Sequence, residues 1–71
     1  MDVIAIHTPF IRLDQALKLA NAVSSGAEAK MLIQDGQVLV NDEICTMRGK
    51  KLVSGDRVCF DGCSWEVKIE E

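Results

Sequence analysis

The 71-residue chain is predicted to fold as an α+β domain, with two short helices packed on a small, mostly antiparallel sheet that ends in a β-hairpin. Three observations predict this. Apolar residues recur at steps of three and four from Leu13 to Val23, and a capping pair, Ser25 and Glu28, opens a second run of that period. From Gln37 onward the period falls to two, and Asp61-Gly62 separates two alternating runs.

Taken in order, Val3 to Ile6 reads as a short strand, and His7-Thr8-Pro9 interrupts it because proline disfavours helix in the residue before it. Leu13, Ala16, Leu17, Ala20 and Val23 then mark the inner face of a first helix, with Asp14 suited to the positive end of its dipole. The second helix is expected from Gly26 to Asp35, with Gly36 as its left-handed stop. Ala29, Leu32 and Ile33 face inward, whereas Gly26, Lys30 and Gln34 follow one another at four-residue steps along an outer face.

Val38 and Val40 belong to the next strand, Asn41-Asp42 turns the chain, and Ile44 starts a returning segment. Met47 to Leu52 reads as a loop, and Ser54-Gly55-Asp56 turns into the final hairpin. A two-residue Asp-Gly loop sets Phe60 opposite Cys63, Val58 opposite Trp65 and Arg57 opposite Glu66. Val58, Phe60, Cys63, Trp65, Val67 and Ile69 then share one face. The element order is β-α-α-β-β-β in a single domain over residues 1–71, with no internal repeat or linker.

A chain of this size buries only about 60% of its unfolded surface, which leaves little room for an internal active site. His7 is the one histidine, no serine or cysteine stands in a nucleophile motif, and no paired carboxylates occupy helical spacing in an apolar setting. No enzymatic activity is expected, and no cofactor. Cys59-x₃-Cys63 falls on opposite faces of the hairpin, so these thiols do not converge on a metal, and reduced cysteines are expected. The three aromatics, Phe10, Phe60 and Trp65, are too few to predict a base-stacking surface. The start carries Asp2 where a signal peptide would be basic, and Val3 to Ile6 is too short to span a membrane; a cytoplasmic monomer is expected.

Charge is unevenly distributed. The formal net charge is −3, yet Ile44 to Arg57 holds four cations and one anion, giving +3, so the remainder totals −6. Acid collects at Asp2, Asp42, Glu43, Asp61, Glu66, Glu70 and Glu71. A cluster such as Arg48, Lys50 and Lys51 is either the solvated skin of a loop or a landing surface for an anion. The Ser25-Gly26 turn allows two readings as well: an ordinary capped helix, or a helix start whose free N–H groups hold a phosphate.

In order and spacing, "RLDQALKLANAVSSGAEAKMLIQDGQVLVND" followed by "GDRV" resembles the RNA-binding domain named after ribosomal small-subunit protein four. The matching positions are Arg12-Leu13-Asp14, Ser25, Ala29, Leu32-Ile33, Gly36 to Asn41 and Gly55-Asp56. "GAEAK" and Arg48 to Leu52 are most similar to the small stand-alone bacterial members. The resemblance implies the alpha-L RNA-binding motif and a structured RNA ligand, ribosomal or transfer RNA being the candidates. It implicates Arg12, Ser25, Gly26, Lys30, Gln34, Arg48, Lys50 and Lys51. Many such domains have arginine directly after the turn serine, where this chain has Gly26. The competing expectation is a protein-interaction adaptor that docks through its acidic side or a sheet edge.

Overall fold

In a computed structural model describing residues 1–70, the elements run β1 (Asp2–Ile6), β2 (Ile11–Arg12), α1 (Leu13–Leu19), α2 (Gly26–Gln34), β3 (Val38–Val40), β4 (Glu43–Ile44), β5 (Lys51–Leu52), β6 (Arg57–Phe60) and β7 (Cys63–Ile69). Glu71, counted above among the acids, lies outside the described residues.

Asp61 and Gly62 both have positive φ, 53° and 80°, the type I′ geometry that matches the twist of the flanking strands. The expected register follows, with Arg57 opposite Glu66, Val58 opposite Trp65 and Phe60 opposite Cys63. On the core face Val58, Trp65 and Val67 are buried, whereas Cys63 and Ile69, at the two ends of β7, are exposed. β3 pairs antiparallel with β6, and β4 returns along β3 through Asn41-Asp42. Both turn residues again have positive φ, 51° and 69°, which asparagine and aspartate accept better than other non-glycine residues. β1 adds to β7 in parallel, giving a five-stranded sheet of order β1-β7-β6-β3-β4.

Both helices end in the same way. Asp35 is the C-cap of α2; the Gly36 N–H donates to the Ile33 carbonyl and the Gln37 N–H to that of Leu32, around a glycine at φ 78°. α1 closes identically on Asn21, at φ 59°, with Asn21 N–H on Lys18 and Ala22 N–H on Leu17. Hence α1 stops at Leu19 rather than reaching Val23. Ala20 and Val23 kept the apolar spacing because Val23 is still buried, but it packs from the connecting turn. At the start of α2 the Ser25 hydroxyl accepts from the Glu28 N–H at 3.1 Å, while the Glu28 carboxylate accepts from the N–H of Ser24, one residue earlier than a reciprocal pair requires.

Leu13, Ala16 and Leu17 of α1 and Ala29 and Ile33 of α2 close over Ile4, Val38, Val58 and Val67 of the sheet. Leu52 joins them with no exposed surface. It arrives on a strand the sequence did not reveal. Lys51–Leu52, expected as loop, pairs antiparallel with Ile11–Arg12 in a separate two-stranded ladder. Two residues are too few to show a period, so only the buried leucine betrays it.

Candidate nucleic-acid interface

α1 begins without a side-chain cap: its N-cap residue is Arg12, which makes no such bond. The free N–H groups of a first helical turn still need partners. The basic segment supplies them. The Leu13 N–H donates to the Lys50 carbonyl at 2.9 Å and the Asp14 N–H to the Arg48 carbonyl at 3.1 Å. A tight turn, closed by Lys50 N–H on the Met47 carbonyl, presents these two carbonyls side by side. Arg48 and Lys50 are therefore fastened by their own backbone to the start of α1, with Lys51 next to them in the ladder, and all three side chains are exposed.

The short ladder adds a fourth cation. Arg12 stands directly opposite Lys51, with the apolar pair Ile11 and Leu52 next to them turned inward. Like charges opposite one another in a ladder are destabilising unless something offsets them. Part of the offset is internal: Arg12 places Nε 3.3 Å and an amino nitrogen 3.0 Å from the two oxygens of Asp14. Burial pushes the Asp14 carboxyl up, but the Arg12 hydrogen bonds, the Gln15 N–H and the charges of Arg12 and Arg48 together outweigh it and leave it below the ordinary carboxylate value. Lys51 holds its ammonium 4.9 Å from the centre of the Phe10 ring, a cation–π contact. Lys50 lines an open cleft of about 470 Å³ together with Val40, Ile44, Cys45, Met47 and the acidic Glu43.

The residues implicated on α2 form a separate group. Ser25 and Gly26 make the helix start, and nothing lies within 4 Å of where a Gly26 Cβ would stand, so the backbone there is open to approach. Lys30 and Gln34 follow on the exposed side of the helix, as the four-residue steps indicated. Gln34 shares a shallow depression with Asp35, whose carboxylate makes that end of the helix less attractive to an anion. Among the described residues no hydrogen bond or ion pair joins the α2 group to Arg12, Arg48, Lys50 or Lys51.

Two motif residues prove to be structural. Asn41 donates to an Asp56 carboxylate oxygen at 3.1 Å and accepts from the Arg57 N–H at 2.9 Å, while the other Asp56 oxygen accepts from Val53 N–H. The Val-Asn and Gly-Asp signatures thus meet and tie the β3–β4 turn to the start of β6. Arg57 also departs from the basic group: its charge is answered by Asp42 at 3.2 Å, not by Glu66, its ladder partner. Sequence reasoning placed Asp14 only against the helix dipole and missed its hold on Arg12; the two-residue spacing in Arg12-Leu13-Asp14 was the available signal.

Residues 4–68 match the family model of the S4 domain, the family named after small-subunit protein four. The chain belongs to the S4 family. Among S4 relatives, a probable ribosome maturation protein, RlbA, of Bacillus subtilis strain 168 is 48% identical over 59 residues, 83% of each chain. YbcJ of Escherichia coli K12 is 41% identical over 59 residues, covering 83% of this chain and 84% of its own. The solution structure of E. coli YbcJ, described as revealing an αL motif involved in RNA binding, superposes with a TM-score of 0.73 at 36% identity, over 96% of this chain and 87% of that one. This S4 chain shares that fold: two helices on a mostly antiparallel sheet that ends in a hairpin. No helix among the described residues is long and apolar enough to cross a membrane.

Proposed function

We infer that this chain is a non-enzymatic RNA-binding protein, a single S4 unit that grips structured RNA by its phosphate backbone. The observation that carries the reading is the capping of α1 by the Arg48 and Lys50 carbonyls, which gathers Arg12, Arg48, Lys50 and Lys51 at one end of an acidic molecule. Phosphates are held there by charge, with Arg48 able to fork onto two oxygens, the lysines acting as point charges, and Arg12, whose fork is on Asp14, offering only its outer amino groups. The start of α2 takes a further phosphate on the open backbone at Gly26, between the Ser25 hydroxyl and Lys30, with Gln34 farther along the same exposed side. Contacts of this kind read the shape of a folded RNA more than its base edges. Ribosomal RNA is the proposed ligand, since RlbA is named for ribosome maturation; the proposed setting is the cytoplasm and the proposed state a monomer.

Replacing Lys30, Lys50 and Lys51 together with Glu tests this. All three are exposed, so the circular dichroism spectrum should be unchanged while ribosomal RNA is no longer retained. Undiminished retention by the folded triple variant would refute the assignment. Co-purification of a protein that survives nuclease treatment would support the adaptor reading instead.

A further inference from the structure

We propose that Phe10 is a stacking platform for one unpaired nucleobase, so that the basic end of this chain binds RNA at a bulge or loop rather than along an uninterrupted duplex. The inference rests on the RNA-binding reading and adds to it a second ligand chemistry, an unstacked base beside the phosphates.

Phe10 is 42% exposed and, unlike its neighbour Ile11, is not among the residues packed on the core. An aromatic ring contributes little to a fold from there, yet the backbone that carries it is fixed on both sides. The Thr8 hydroxyl donates to the Phe10 carbonyl at 2.7 Å, and Ile11 enters the β2–β5 ladder immediately afterwards. The ring is thus presented from a braced loop. Its neighbours define the ligand. Lys51 holds its ammonium over one face of the ring, 4.9 Å from the centre, so a ligand can stack only on the other face, and the ladder partner of Lys51 is a second cation, Arg12. A ligand that covers the ring must bring anionic groups to those cations, and a nucleotide carries a flat π-face next to a phosphate. A base inside a duplex already has both faces occupied, so the nucleotide that reaches Phe10 is one the RNA leaves unpaired.

A hairpin RNA carrying a single bulged 2-aminopurine, compared with the same hairpin fully paired, reads this directly. With the wild-type chain, 2-aminopurine fluorescence should be quenched on binding, and the bulged hairpin should bind more tightly than the paired one. Phe10→Leu keeps an apolar side chain without a π-face. It should lower affinity for the bulged hairpin about 5- to 150-fold, leave the paired hairpin unchanged and abolish the quench. Phe10→Trp should retain both the preference and the quench. Equal loss on both hairpins in Phe10→Leu would mean that the ring only orients Lys51, and would overturn the proposal while leaving RNA binding intact. Absence of quenching in the wild-type complex would overturn it as well. Failure of the wild-type chain to bind either hairpin at low salt would instead remove the RNA-binding reading, and this inference with it.

Discussion

Asp14 sits 5% exposed in the first turn of α1, with its carboxylate on the Arg12 guanidinium and on the Gln15 N–H, and its own N–H on the Arg48 carbonyl. Side chain and backbone together hold two cations in place, which makes Asp14 a positioning residue for the basic end. Its carboxyl lies below the ordinary value of 3.8 in the folded chain. A depressed folded-state value stabilises the native chain fully above 3.8, and the contribution fades as the pH falls through the lowered value. Asp14→Asn should therefore lower stability by about 1–2 kcal/mol at neutral pH by urea unfolding and flatten the acid limb below pH 3.8, where the two chains converge. An acid limb identical to that of the unsubstituted chain would show that Asp14 does not carry this linkage. The Arg12 half of the pair is half-exposed and screened, so little of the stability resides there.

Among the elements, β5 is the one that joins function to fold. Its Leu52 is wholly buried, Lys51 beside it is exposed, and the preceding residue caps α1. Alternation along two residues thus anchors one side chain in the core and displays the next to solvent. Leu52→Ala should cost about 2–5 kcal/mol in chemical denaturation, the range for emptying a fully buried leucine site. The variant should also weaken RNA retention at temperatures where it remains folded, because the cations are held through the same segment. Normal retention by the folded variant would show that the α1 caps alone are enough to hold the basic segment.

At the scale of the molecule, the net charge of −3 is a poor guide to what the surface attracts. α1 starts at the basic segment and ends at Ala20, which lines a cleft with Asp2 and Asp61. Seven residues of helix separate the two ends by about 10 Å, roughly one screening length at moderate salt. An RNA at the basic end therefore feels Arg12, Arg48, Lys50 and Lys51 more than the acids at the far end of α1, with Glu43, across the cleft from Lys50, the carboxylate that opposes them there. Four or five phosphate contacts, the fifth at the start of α2, imply that affinity falls about 50- to 500-fold between 50 and 200 mM salt. Lys50→Gln should reduce the slope of log affinity against log salt by somewhat less than one. An unchanged slope would take Lys50 off the phosphate path.

By itself the sequence determined that two helices form, their register toward the core, the hairpin at Asp61-Gly62 and the family, because each is a local pattern of period, cap or turn; it carried the first helix to Val23, past its stop at Leu19. The candidate residues on α2 were legible for the same reason: four-residue steps place Gly26, Lys30 and Gln34 on one side whatever packs on the other. Tertiary structure decided the rest. That Arg12 and Lys51, thirty-nine positions apart, face each other depends on a ladder of two pairs with no periodic trace. That Asn41 and Asp56 hold each other, and that Arg57 is answered by Asp42, follows from turns folded back onto a distant strand. "TMRGKKLVSGDRV" could be seen to be basic. Its attachment to α1 is made by carbonyl oxygens, which every residue carries alike, so no choice of side chain could announce it.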